Sequence, residues 1–201
     1  MRTTRFAALT VSAVFALAAC GGGDDSGSAA SSPSVSAETS ADAHNAQDVS
    51  FAQGMIPHHQ QAIEMAELAD GRAASTQVKD LAARVEKAQG PEITTMTAWL
   101  KAWDEKVPES MPGMDHSGMA GMDGMAGMMD SADMGKLKKA SGKDFDSMFL
   151  TMMVEHHEGA VEMATTEKAK GEYKAATAMA GDIVTAQNAE ISEMKKLLGE
   201  N

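Results

Sequence analysis

Four of the six histidines in this 201-residue chain form two adjacent pairs in matching surroundings. These are Met55-Ile-Pro-His58-His59-Gln-Gln-Ala62-Ile-Glu64-Met65-Ala66 and Met153-Val-Glu-His156-His157-Glu-Gly-Ala160-Val-Glu162-Met163-Ala164. Imidazole suits copper, zinc, iron and nickel, and a nearby thioether such as Met55 or Met153 shifts the preference toward soft Cu(I). A polar pair follows each motif, because Ala88-Gln89-x-x-Glu92-Ile93-x-x-Met96 recurs as Ala186-Gln187-x-x-Glu190-Ile191-x-x-Met194. The copies lie 98 positions apart and run without a gap over about fifty residues, 51–100 and 149–198. With about fifteen identities between them, tandem duplication is the simplest origin.

A second set of donors lies between the copies. Met111, Met114, Met119, Met122, Met125 and Met128 recur at close intervals among glycines, alanines and aspartates, with His116 inside the run. Thioethers are soft and neutral, suited to Cu(I) and Ag(I) and poor ligands for Mg²⁺ or Ca²⁺; His116 adds an imidazole that also admits Cu(II). A buried methionine stripe needs helix formers around it, and the recurring glycines argue against a helix here. The bland alternative is a flexible methionine-rich surface for a protein partner.

The elements that must position these groups are helical. Phe51, Met55, Ala62, Met65, Ala66 and Ala69 recur at three- and four-residue intervals after a cap at Asp48 or Ser50. This pattern predicts a helix closed by Asp70-Gly71 and bent at Pro57. A second helix is predicted from about Ser75 to Asp104, presenting Val78, Leu81, Val85, Ile93, Met96, Leu100 and Trp103 and interrupted at Gly90-Pro91. The second copy predicts helices from about Lys143 to Lys170 and from about Tyr173 to Leu198. Two hairpins, each with an apolar face it cannot bury alone, predict an all-α four-helix bundle. Residues 105 to about 140 carry no helical apolar face and read as a long exposed connection.

Helical periodicity sets both histidine pairs within the buried arc and turns Glu64 and Glu162 outward. Gln89, Glu92, Gln187 and Glu190 are aimed at the core. A buried carboxylate needs a partner, and the histidines of the neighbouring helix are the natural ones. Two readings follow: a closed hydrogen-bond network that sets register and binds nothing, or a metal site between the helices. The Glu-x-x-His pattern of di-iron bundles is absent, which makes a di-iron oxidase a minority reading.

The remaining sequence concerns location. Arg2 and Arg5, the apolar run from Phe6 to Ala18, and Leu17-Ala18-Ala19-Cys20 have the order of a secretory signal, too short to span a bilayer. Leu-Ala-Ala-Cys resembles the lipobox of bacterial lipoproteins, which implies lipidation at Cys20, the only cysteine, and anchoring to the outside of the bacterial cell membrane. Cleavage before Cys20 leaves 15 basic residues against 29 acidic ones, a charge near −14 that repels nucleic acid. The chain therefore divides into a signal peptide (1–19), a lipidated cysteine with a Gly/Ser/Ala tether (20–46), a first helical hairpin (47–104), a Met-rich linker (105–142) and a second hairpin (143–201).

The pattern Phe51-x-x-x-Met55-x-x-His58-His59-x-x-Ala62-x-x-Met65-Ala66, with its copy from Phe149 to Ala164, resembles the domain of unknown function 305 family over about residues 46–199. That resemblance implies a ferritin-like helical fold, and for some members a link to copper binding and tolerance outside the cytoplasm. Met114-Asp-His116-Ser-Gly-Met119 is similar to the Met-rich segments of bacterial copper-resistance proteins.

These readings converge on a non-enzymatic protein that binds Cu(I), and by the same chemistry Ag(I), for buffering or for delivery to an exporter or oxidase. The expected loop ligands are Met111, Met114, His116, Met119, Met122, Met125 and Met128. A second site is expected at His58, His59, His156 and His157, with Met55 and Met153 adjacent and Gln89, Glu92, Gln187 and Glu190 as supports or ligands. The rivals are a metal-dependent oxidase and a metal-free interaction module. A haem bundle ranks low, because Cys-x-x-Cys-His is missing and aromatics are few.

Overall fold

The computed structural model of the protein describes residues 43–109 and 126–199, and every regular element among them is helical. Four long helices, α1 (Ala46–Glu67), α3 (Thr76–Ala102), α5 (Gly142–Lys170) and α6 (Lys174–Leu198), are accompanied by two short ones, α2 (Ala69–Arg72) and α4 (Ser131–Leu137). α1 packs mainly on α3 and α5 mainly on α6, so each repeat is a hairpin; the hairpins meet chiefly through α1 and α5. Among the described residues no helix is long and apolar enough to cross a membrane.

The helix limits follow from local chemistry, with some departures from the sequence reading. α1 is capped by Asn45 rather than by Asp48 or Ser50: the Asn45 side chain accepts from the Gln47 and Asp48 amides while Asp48 accepts from the Asn45 amide. α1 also ends earlier, at Glu67, and the Asp70-Gly71 pair lies inside the single turn of α2. Pro57 and Pro91 both sit within helices that run on past them. The Gly90-Pro91 interruption does not occur, because packing on both sides of the proline outweighs one missing amide donor.

Asp48 and Asp146, also 98 positions apart, clasp the two hairpins reciprocally. Asp48 on α1 accepts from the amides of Glu172 and Tyr173 ahead of α6, at 3.0–3.2 Å. Asp146 on α5 accepts from the amides of Ala74 and Ser75 ahead of α3, at 3.0–3.1 Å. Each aspartate thus satisfies helix-start donors of the opposite hairpin, work usually done by a residue of the same segment. Replacing Asp146 by alanine is expected to cost about 1 kcal/mol. Thermal circular dichroism would read this as a melting temperature lower by about 2–4 °C.

The expectation of an exposed connection over residues 105–140 is corrected at its C-terminal end. α4 forms there, capped by Asp130, and Met129, Met134 and Leu137 are buried in the apolar core with Phe145 and Phe149. Three apolar residues in a short amphipathic turn carry too weak a periodicity to stand out from a methionine-rich background. At the other end of the molecule Trp103, expected on the buried face, is half-buried and stacked on His44 at 4.4 Å.

Candidate metal centre

The core is divided by a polar layer. On one side lies an apolar cluster containing Phe51, Met55, Ile56, Met96, Leu100, Ala160, Ala164 and Ile183. On the other lies a cluster containing Met65, Leu81, Val85, Phe145, Phe149, Met153 and Met194. Between them, at mid-length of each long helix, come His58 and His59 (α1), Gln89 and Glu92 (α3), His156 and His157 (α5), and Gln187 and Glu190 (α6). The antiparallel course within each hairpin, with α1 against α5, brings residues far apart in sequence to one level.

Within the layer each repeat makes the same pair. His59 Nε2 lies 2.7 Å from Glu92 Oε2, and His157 Nε2 lies 2.7 Å from Glu190 Oε2. Both imidazoles are fully buried while the glutamates keep some access to water, at 25 % and 18 % exposure, so the carboxylates escape the full cost of burial. An imidazole donating Nε2–H to a carboxylate has its orientation set and, when neutral, carries its lone pair on Nδ1; histidines that bind metals are commonly supported in this way.

The other two histidines meet at the centre. The rings of His58 and His156 are 3.8 Å apart, tilted by 41°. Burial, and then the neighbouring His59, push His58 down to about 3, against the raising effect of the Ala126 carbonyl. Burial, and then His58, His157 and His59, hold His156 well below the usual imidazole range, against a raising effect of the His58 backbone. Both rings are therefore neutral, with lone pairs available to a Lewis acid. Among the described residues, seven polar atoms of the layer are buried without a well-formed hydrogen bond: Nδ1 of all four histidines, Nε2 of His156, and Oε1 of Gln89 and Gln187. A closed network that only fixed register would leave few of these atoms orphaned.

A segment of backbone crosses the layer. Ala126 O is 3.3 Å from His58 Nε2, and the Gln61 side-chain amide donates to Met129 O and accepts from Met129 N, each at 2.8 Å. Gly159 on α5 leaves room for this crossing, since a Cβ there would collide with the Ala126 carbonyl.

The structure brings the four motif histidines and their glutamate and glutamine companions to one level. Met55 and Met153 are fully buried in the apolar clusters on opposite sides of it. Met128 is half-buried on the crossing segment, whereas Met111, Met114, His116, Met119, Met122, Met125 and Cys20 lie outside the described residues. Among the described residues no three His, Cys, Asp or Glu side chains converge closely enough to hold an ion as they stand. Sequence reasoning missed Gln61, Gly159 and the Asp48/Asp146 clasp. The aspartates were detectable as an identity just upstream of the repeat; Gln61 and Gly159 occupy equivalent positions in the two copies but differ, so repeat matching passed over them.

The model of the family described as a domain of unknown function (DUF305) matches residues 48–198. No curated protein matches the chain. Among solved structures, a DUF305 protein from Streptomyces coelicolor assigned as secreted is 34 % identical, with a TM-score of 0.67 over 79 % of this chain and 94 % of that one. CopM in its Cu(II)-bound form is 36 % identical, with a TM-score of 0.64 over 76 % of this chain and 95 % of that one. In its Cu(I)-bound form the values are 32 %, 0.61, 75 % and 94 %.

Proposed function

We propose, from the premise that this chain belongs to the DUF305 family, that it binds copper at the buried histidine layer and serves to buffer or hand over the ion outside the cytoplasm. The observation that carries this reading is the set of imidazole nitrogens buried without partners among the described residues, three of them on the adjoining neutral rings of His58 and His156. Orphaned lone pairs in a core cost stability, and a bound metal ion would recover that cost. Imidazole suits copper, and a pair of close nitrogens flanked by buried thioethers suits an ion content with few ligands, as Cu(I) and Ag(I) are. Mg²⁺ or Ca²⁺ would need more oxygen donors than the layer supplies. The copper-bound relatives support the same reading, and a secreted relative together with the Leu17–Cys20 run supports an extracytoplasmic, lipid-anchored location.

In this reading no bond is made or broken in a substrate. His58 and His156 hold the ion; His59 and His157, oriented by Glu92 and Glu190, complete its surroundings; Met111 to Met128 and His116 form a second, softer acceptor. An exporter or oxidase able to strip Cu(I) is the recipient.

The test is an anaerobic Cu(I) titration against a competing chelator, comparing wild type with a variant in which all four motif histidines are alanine and another in which the methionines from 111 to 134 are leucine. Loss of tight binding in the histidine variant, its helicity intact, supports the layer as the site. Loss only in the methionine variant moves the site to the linker. Failure of wild type to outcompete the chelator removes the copper reading and leaves an interaction module. Within the layer, Glu92→Gln combined with Glu190→Gln is expected to weaken Cu(I) binding by about 10- to 100-fold in the same titration, because the supporting acceptors are lost while the imidazoles remain.

A further inference from the structure

We infer that the backbone strap Ala126–Met129 decides which nitrogen of His58 is free to receive a metal ion, with Gln61 and Gly159 as its positioning residues. The metal-binding consequence rests on the copper reading above; the effect on the ring does not.

The argument begins with donor and acceptor chemistry. A backbone carbonyl can only accept, so the contact between Ala126 O and His58 Nε2 requires the hydrogen on Nε2. A neutral ring has one hydrogen, and the lone pair therefore sits on Nδ1, which is buried without a partner. His59 and His157 reach the same tautomer by a different route, through Glu92 and Glu190. Among the described residues His156 has no well-formed hydrogen bond on either nitrogen, only an approach to the His58 backbone, and no carboxylate or strap fixes its tautomer. The strap thus does for His58 what the glutamates do for the outer pair.

The strap is held from both sides. Gln61 is 1 % exposed, and both ends of its amide are spent on the Met129 backbone, as a neighbouring strand would be. On the opposite side the strap lies against α5 at Gly159, where any side chain would meet the carbonyl of Ala126 itself. Gly127 has φ +80° and lies so close to α5 that a Cβ would fall 2.7 Å from the Glu155 carbonyl and 2.9 Å from that of His156. Both glycines are therefore required, one for its conformation and both for the approach. Gln61 and Gly159 stand at equivalent positions of the two repeats. The pseudo-symmetric layer is broken at the place where one copy grips the strap and the other makes room for it.

The experiment uses the full chain, metal-free and ¹⁵N-labelled, in wild type, Gln61→Leu and Gly159→Ala. Long-range ¹H–¹⁵N spectra report the tautomer of each imidazole, and Cu(I) competition follows on the same samples. Wild type is expected to show His58 with its hydrogen on Nε2. Both variants, which disturb the strap from opposite sides, are expected to show a tautomer mixture at His58, an unchanged His157, and Cu(I) affinity lowered by about tenfold or more. The inference is overturned if wild-type His58 carries its hydrogen on Nδ1, if both folded variants keep the wild-type tautomer, or if the tautomer shifts and affinity does not. Absence of Cu(I) binding in wild type removes the copper reading alone, since the metal-free spectra decide the role of the strap independently.

Discussion

Replacing His156 by leucine is expected to make the metal-free protein more stable while weakening its hold on copper. His156 is 1 % exposed, and among the described residues neither ring nitrogen has a well-formed hydrogen bond, only an approach to the His58 backbone, so the folded state bears most of the desolvation of two polar atoms. An unsatisfied buried polar group costs about 1–3 kcal/mol, and an apolar side chain of similar size removes that cost and keeps the packing. The melting temperature of the metal-free variant should rise by about 2–4 °C for each kcal/mol recovered. His59→Leu has the opposite sign, because it deletes a 2.7 Å contact and strands Glu92 in a partly buried position. Thermal circular dichroism on both variants without metal, followed by Cu(I) competition, checks the pair. A fall in stability for His156→Leu equal to that for His59→Leu would mean that His156 belongs to a satisfied structural network, and the case for a metal-receiving layer would go with it. A core that is less stable than it could be, at the residues with the most useful chemistry, is a common mark of function.

Removing the carboxyl of Glu167 is expected to flatten the fall of stability between about pH 6.5 and pH 8. Glu167 is fully buried, and burial first, then the hydrogen bond and charge of Asp48, raise it from 4.5 to about 8 against a smaller opposing effect of Gln47. Burial also works to raise Asp48, but hydrogen bonds from Glu167 and from the Asn45, Tyr173 and Glu172 backbone outweigh it and leave Asp48 below its ordinary 3.8. The proton of this neighbouring pair of carboxyls is therefore carried on Glu167. The folded chain keeps that proton up to about pH 8, whereas the unfolded chain releases it near 4.5. At this group folding takes up a proton between these values, so the contribution of Glu167 to stability is greatest at the acid end of the window and falls as pH rises through it. Asp48 acts in the reverse sense, its contribution being lost only as pH drops below the ordinary aspartate range. Below about pH 6.5 the buried neutral His58 and His156 act in the opposite sense, since the unfolded chain protonates them and the folded chain does not, so the decline of the wild-type melting temperature is expected between about pH 6.5 and pH 8. Glu167→Gln should remove most of that slope and melt higher than wild type at the alkaline end. An identical slope in the two proteins would show that Glu167 ionises normally. The equivalent residue in the first repeat is Ala69, itself buried, so the position accepts a neutral side chain.

Much of this molecule was legible before its structure. The two spaced copies of the His-His motif specify a duplicated hairpin, and apolar residues at helical spacing place all four long helices to within a few residues at most ends. The same spacing puts His58, His59, His156 and His157 on buried faces and aims Gln89, Glu92, Gln187 and Glu190 inward, because helical geometry alone relates position in sequence to position on a face. The pairing of each histidine motif with the glutamate 33 residues later is also a within-hairpin relation, which a short antiparallel connection determines.

What crosses between hairpins was not legible, because no sequence period carries it. The meeting of the His58 and His156 rings depends on the level at which α1 meets α5, and the Asp48 and Asp146 clasps depend on which helix start lies opposite each carboxylate. Glu167 reads from sequence as one more solvated acid near a helix end; only the packing of the α5 terminus against α1 buries it beside Asp48. The strap is the clearest case. Gly127 and Gly159 look like flexible spacers in the chain, and Gln61 looks like an ordinary polar helix residue. Their roles arise from a backbone segment laid across two helices, a contact fixed by three-dimensional fit and by the need of each buried amide and carbonyl for a partner.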